Sequence, residues 1–191
     1  MNTKKIALWA VLGIGLALVG CVVPSVYPFY TEKDLTFDPA LIGTWADINR
    51  GPNDTETWTF DQAGQQAYQF TMKGDHETNL FSAHLFKLKD HRFLDCQLQQ
   101  ENGDAIPPHY LLCVAQIQPT LKLSTLKSDW LRDFLAKNPK AIRHTLAADK
   151  PDDTNTLHVV LTAETKDLQK FILKHLDTKG AFDDAGEKKK L

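Results

Sequence analysis

Histidine, cysteine and serine are the residues of this chain that most often carry chemistry in proteins. The seven histidines include no pair at HxH, HxxxH or HExxH spacing, the patterns that place two imidazoles on one face toward a zinc ion. No serine lies in a Gly-x-Ser-x-Gly turn, which would expose a hydrolase nucleophile. We therefore expect no metal ion, no cofactor and no catalytic residues, and we predict that the chain is not an enzyme.

The three cysteines divide into one at position 21 and a later pair, Cys96 and Cys113. The pair falls on segments that read as neighbouring strands. In an oxidising compartment the two residues either form a disulfide, which needs a suitable strand register, or remain buried free thiols. Each is in phase with apolar neighbours along its own strand, which suits a buried thiol. Both alternatives stay open from the sequence.

The first twenty residues have the layout of a secretory signal peptide. Lys4 and Lys5 precede an uncharged apolar run over residues 6–19, and the small Gly20 follows. The competing interpretation is an uncleaved membrane-spanning helix, which the glycines within the run and Pro24 after it weaken. Both interpretations place the rest of the chain outside the cytoplasm, because the two lysines favour the inner side.

Leu18-Val19-Gly20-Cys21 resembles the lipobox of bacterial lipoproteins. The resemblance implies that residues 1–20 are removed and that Cys21 begins the mature protein. Its sulfur would then carry a diacylglyceryl group and its amine an acyl chain such as palmitate. Several chains anchor stably, whereas one alone binds only marginally. Val22, in place of the Asp typical of inner-membrane lipoproteins, implies the periplasmic face of the outer membrane.

Composition is that of one ordinary globular domain. The 191 residues are 42% hydrophobic and 24% charged. Removing residues 1–20 takes the formal net charge from −2 to −4, which provides no basic surface for nucleic acid. We expect residues 21–39 to be the lipidated N-terminus and a tether that packs on the domain, 40–182 to be one β-rich domain, and 183–191 to be a disordered polar tail.

Alternation of polar and apolar residues predicts strands along most of the chain. The pattern indicates hairpins and single strands at residues 55–73, 79–98, 110–117, 121–124, 142–146 and 157–162. Apolar residues at helical spacing predict two helices, one capped by Ser128 and ending before Pro139, the other capped by Thr165 and ending near Gly180. Strand signals at this rhythm are typical of an antiparallel barrel or sandwich.

The segment Gly43-Thr44-Trp45 resembles the Gly-x-Trp opening of lipocalins and their calycin relatives. The resemblance implies that the glycine turns the chain into a barrel and that the tryptophan plugs its closed end. A helix at 128–137, between strands, departs from the lipocalin order. The wider run 27–45 resembles a family of uncharacterised bacterial lipoproteins, which lends no activity. We predict a mainly β fold, an antiparallel lipocalin-like barrel or sandwich with two short α-helices, with α+β as the alternative.

Aromatic side chains on the first predicted strands either line a ligand cavity or fill and plug the barrel, as they do in most small barrels. These residues are Trp45, Trp58, Phe60, Tyr68 and Phe70. The first functional hypothesis is an envelope lipoprotein, anchored in membrane lipid through Cys21, that binds a small apolar ligand in the barrel. The second is an envelope protein that docks a protein partner through its surface.

Overall fold

The computed structural model describes residues 22–51, 53–75, 77–99, 107–148, 157–184 and 186–191. The strands are β1 (Pro24–Ser25), β2 (Gly43–Asp47), β3 (Thr57–Gln62), β4 (Tyr68–Lys73), β5 (Thr78–Leu88), β6 (His91–Leu98), β7 (His109–Gln116), β8 (Leu121–Thr125), β9 (His144–Ala148), β10 (Leu157–Leu161) and β11 (Gly186–Lys190). The α-helices are α1 (Ser128–Lys137) and α2 (Thr165–His175), and a short 3-10 turn over Pro39–Leu41 precedes β2.

Eight of these strands close into an antiparallel barrel. Their order is β6-β5-β4-β3-β2-β11-β8-β7, and β7 pairs back with β6. Closure leaves no free sheet edge among these strands. The prediction of a mainly β fold with an antiparallel barrel and two helices is confirmed, and the sandwich alternative is wrong because the sheet closes on itself.

An outer layer branches from one edge of β7. The first residues of that edge, His109 and Tyr110, pair with β1, whereas residues 112–116 pair with β8. β1 runs parallel to β10, which pairs antiparallel with β9. We use the name outer layer for β1, β9, β10, α1 and α2.

The alternation of side chains along the barrel strands produces two apolar cores. Inward residues such as Leu85 pack with the aromatic rings of β3 and β4 in a barrel core. Outward residues such as Phe86 and Phe93 meet Leu131 of α1 and Phe171 of α2 in an outer core. Successive residues of β5 therefore face different cores, because side chains of a strand point alternately to its two sides.

The predicted disordered tail at 183–191 is wrong. Residues 186–190 form β11, which lies between β2 and β8 and completes the barrel. Lys188 Nζ lies 4.4 Å from the centre of the Trp58 ring, and Lys190 Nζ lies 5.3 Å from that of Trp45. The lysine stems cover aromatic surface as apolar side chains would, and their ammonium groups are attracted to the rings. A pattern of polar and apolar residues counts lysine as polar, so it does not predict a strand here.

The boundary predicted at residue 40 is also wrong, because the folded domain includes residues 22–39. Val23, Ser25 and Phe29 are buried, and β1 belongs to the sheet. From there the chain reaches β5, where Leu35 forms a bridge with Phe86 and Thr36 N–H donates to Leu85 O at 2.8 Å. The expectation that this segment packs on the domain itself is confirmed for its described residues.

The helix boundaries differ from the predictions by small shifts. Ser128 and Thr165 are the first helical residues, and the N-cap positions belong to Lys127 and Glu164. The Thr165 hydroxyl instead donates to Pro28 O at 2.7 Å, which ties α2 to the N-terminal segment. The second helix ends at His175, short of Gly180.

The N-terminal segment closes one end of the barrel. Leu41 of the 3-10 turn is fully buried, and Trp45 Nε1–H donates to its carbonyl at 2.9 Å. Gly43 has φ +126°, a backbone conformation that residues with a Cβ rarely adopt, so the entry to β2 favours glycine. We call this the plugged end, and we name the opposite end of the described barrel, where β3, β5 and β7 begin, the open end.

Candidate functional site

Four of the five aromatic residues singled out from the sequence lie in a filled part of the barrel. Trp45, Phe60 and Tyr68 have no exposed surface, and Phe70 has 3%. The Phe70 ring stacks on Phe60 at 4.5 Å and on Phe81 at 5.2 Å between ring centres. At this level the rings pack against one another, which is the arrangement of a core and plug.

The fifth aromatic residue, Trp58, lies at the open end. Together with Met72, Leu98 and Tyr110 it is a partly buried side chain packed against the barrel core. All four point inward and lie within two residues of the strand ends at that end of the barrel. We call these four residues the mouth, because among the described residues they are the partly exposed part of the barrel core at the open end.

An ion pair lies beside the mouth. The Lys188 side chain is 13% exposed, and its ammonium is 3.3 Å from Glu56 Oε1. Trp58 Nε1–H donates to the same carboxylate oxygen at 2.8 Å. A group of apolar side chains with one cation and one carboxylate at its edge can bind the apolar part of a ligand and orient its polar end.

A buried acid and a histidine join the N-terminal segment to the barrel, and the sequence pattern did not identify them. Asp95, 1% exposed, accepts a hydrogen bond from Phe29 N–H at 2.8 Å and one from His109 Nδ1–H at 2.7 Å. Gln97 Nε2 donates to His109 Nε2 at 3.2 Å. Ser25, across from His109, donates its hydroxyl to Tyr27 O at 2.8 Å, so these groups do not form a nucleophile–base–acid chain.

Two aromatic groups complete this cluster. The Tyr30 and His84 rings stack with their centres 4.8 Å apart. Burial lowers the pKa of His84, an effect that Asp95 opposes and His109 adds to. Burial also raises the pKa of Tyr30, as do the nearby charges of Asp95 and Glu32. The arrangement fastens two distant segments rather than exposing a reactive group.

The disulfide alternative for Cys96 and Cys113 is wrong, and both are free thiols. Cys113 pairs across the strands with Phe93, three residues before Cys96, so the two thiols point to opposite faces of the sheet. Cys96 lies in the barrel core and Cys113 against the outer core. Burial raises the pKa of both thiols.

A groove of about 510 Å³ opens between α2 and the chain that leads into β9. Its charged lining residues are Lys140, Arg143, Glu164, Asp167, Lys170 and Lys174. His175 lines it as well, packed against the rings of Phe134 and Phe171, and its Nε2 has no hydrogen-bond partner. Burial, and then the charge of Lys174, lower the pKa of His175.

The remaining sequence predictions fall mainly outside the described residues. These include Leu18, Val19, Gly20 and Cys21 of the lipobox. Within the described ranges, no three His, Cys, Asp or Glu side chains come together as metal ligands. No helix in that part of the chain has the length and apolar character needed to span a membrane.

Comparison with known proteins adds no family to this description. No protein-family model matches the chain, and neither a curated protein nor a solved structure matches it. The candidate site is therefore defined by its own geometry: a plugged barrel with a half-buried apolar mouth.

Proposed function

We propose that this chain is a bacterial envelope lipoprotein, held at the periplasmic face of the outer membrane through Cys21, whose barrel mouth binds a small apolar ligand. The anchor rests on the Leu18–Cys21 motif and the apolar run before it. The observation that carries the ligand proposal is the partial exposure of four large apolar side chains at the end of the barrel opposite the plug, beside the Lys188–Glu56 ion pair. We propose no catalytic activity.

The filled interior limits the depth of the proposed site. Phe70 and Phe81, beneath the mouth, are stacked and buried, so the ligand would rest on the rings rather than enter a deep cavity. The Lys188–Glu56 pair gives the edge of the mouth hydrogen-bonding groups of both signs. The ligand class that fits is an amphiphile with an acyl or aromatic part and a polar end.

A fluorescent fatty acid, cis-parinaric acid, tests the mouth directly when titrated into the mature chain carrying Cys21→Ser. We expect saturable binding, weakened about tenfold by Trp58→Ala, which corresponds to about 1.4 kcal/mol. Gln69→Ala, on the outer face of β4, is the matched control and should bind as the parent does. Equal affinity in the Trp58 and Gln69 variants would contradict a site at the mouth.

A second function, docking of an envelope protein partner through the outer surface, is favoured by the packed interior itself. A barrel filled by Trp45, Phe60 and Phe70 works as a rigid scaffold whether or not it holds a ligand. Absence of saturable fatty-acid binding by a chain with a normal unfolding transition would favour this second function over the first.

A further inference from the structure

The first described residue is already fixed to the folded domain. Val22 forms a β-bridge with Lys127, which directly follows the barrel and precedes α1. Lys127 N–H donates to Ala181 O at 2.9 Å, and Ala181 N–H donates to Thr178 O at 3.0 Å. We call Val22, Lys127 and the turn 178–181 the anchor corner.

The distance from this corner to the proposed lipid is one peptide unit. Adjacent Cα atoms are about 3.8 Å apart, so Cys21 cannot move away from Val22 as a residue on a long linker would. We propose that the anchor corner lies against the surface of the bilayer that holds the Cys21 acyl chains, with no spacer between membrane and domain. This inference rests on the proposed lipidation and adds the orientation of the domain.

The charges of the corner favour this contact. Lys127 and Lys179 are both exposed. Basic side chains beside a lipid anchor are attracted to anionic headgroups. The bilayer, rather than a protein partner, is the occupant because the covalent anchor brings it to this position.

The opposite rim of the open end has the opposite charge. Strand order places β3 and β4 across the barrel from β7 and β8, beside which the corner lies. Asp54 and Glu56 precede β3 and Asp75 and Glu77 follow β4, and these four carboxylates outnumber the two nearby lysines, Lys73 and Lys188. An anionic bilayer repels these carboxylates, so the barrel would tilt with its corner down and its acidic rim raised.

This tilt brings one side of the mouth close to the membrane and leaves the other side away from it. Val22 forms its bridge with Lys127 just beyond the end of β8. β7, whose second residue is Tyr110 of the mouth, begins at the same end of the barrel. An apolar ligand leaving the bilayer would therefore reach the mouth at the edge of the headgroup region. The acidic rim would keep the far side of the mouth open to the periplasm.

Alkylation of single engineered thiols by a polyethylene-glycol maleimide tests the contact on the full lipidated protein in vesicles of phosphatidylethanolamine and phosphatidylglycerol. Cys113→Ser provides the background, since Cys96 is buried. Thr178→Cys reports the corner, and Thr78→Cys, at the opposite rim, is the matched control. Gln65→Cys, in the turn at the plugged end, is the distant reference. We expect position 178 to be alkylated about tenfold more slowly than positions 78 and 65, because the adjacent membrane occludes it.

A flexible glycine–serine linker of about 20 residues between Cys21 and Val22 should remove this protection, because it lets the domain leave the surface. A small maleimide should react similarly at all three positions, and Lys179→Cys provides a second corner position. Equal bulky-reagent rates at positions 178 and 78, with the lipid on Cys21 verified by intact mass, would overturn the membrane contact alone. An intact mass without lipid would overturn the proposed anchor and the contact with it.

Discussion

The barrel core and the outer core are built differently. The barrel core is a set of stacked rings and aliphatic side chains, contributed largely by strands that follow one another along the chain. The outer core is bordered by the three polar residues that are buried in the described chain, Ser25, Asp95 and His175. We conclude that packing stabilises the barrel, whereas the outer layer also depends on specific polar contacts.

Those contacts connect segments that are far apart in sequence. Phe29 N–H donates a hydrogen bond to Asp95. The Phe29 carbonyl accepts one from Gln169 Nε2 at 3.0 Å. One short segment therefore links β6 of the barrel to α2 of the outer layer. Because the barrel strands form a closed ring and the outer layer is attached to one edge of β7, we predict that the outer layer opens before the barrel.

Removing the largest barrel-core side chain should have the largest effect. Trp45→Ala leaves a cavity and removes the partner of the Leu41 carbonyl, so we expect a loss of about 4 kcal/mol in the free energy of unfolding. Leu131→Ala is the matched change in the outer core, with an expected loss of about 3 kcal/mol. Denaturant unfolding followed by circular dichroism measures both. A loss below about 1 kcal/mol for Trp45→Ala would contradict a filled barrel.

Breaking the buried acid contact should loosen the outer layer more than the barrel. Asp95→Ala leaves Phe29 N–H and His109 without their acceptor, and we expect a loss of about 3 kcal/mol. Amide hydrogen exchange should quicken at Phe29 while protection in β3 and β4 is retained. Asp95→Asn, which keeps one acceptor oxygen, should have a smaller effect. Equal loss of protection in β3 and β4 would show that the two cores unfold as one.

Replacing His175 should produce the smallest change, and a favourable one. His175→Phe removes an unpartnered Nε2 from an aromatic site, so we expect a gain of about 1 kcal/mol near pH 7. Because burial lowers the pKa of His175 in the folded state, the unfolded chain binds a proton more readily below pH 6.5, and stability falls as pH falls through that range.

The variant should therefore lose less stability between pH 7 and pH 5 than the wild type does. The loss should not vanish, because His84, whose pKa is also lowered, keeps its contribution of the same sign. Thermal unfolding across this pH range measures the difference. An unchanged slope in the variant would contradict a lowered pKa of His175 in the folded state.

Sequence alternation identified the parts of the fold that depend on local pattern. The hairpins over 55–73 and 79–98 correspond to β3–β4 and β5–β6, whose inward residues are apolar. β11 was missed because its lysines cover Trp45 and Trp58 with aliphatic stems. Local spacing has no information about a strand whose apolar contacts come from charged side chains.

The candidate site was predicted only in part, for a related reason. Trp58 was identified as a barrel residue, but its position at the open end depends on register. Asp95 occupies an outward position that alternation assigns to solvent, and the segment that covers it lies 66 residues earlier in the chain. The faces of Cys96 and Cys113 also depend on register, which pairs Cys113 with Phe93. The positions of these side chains therefore depend on how strands and segments pair, which residue type alone does not predict.

Intact-mass measurement of the protein from the membrane fraction of a Gram-negative host tests the central proposal, that residues 1–20 are removed and that Cys21 carries lipid. The account predicts the mass of residues 21–191 plus a diacylglyceryl group and one amide-linked acyl chain. Cys21→Ala should lose this addition. Recovery of the wild-type chain from the membrane with residues 1–20 still attached and no added lipid would contradict the account.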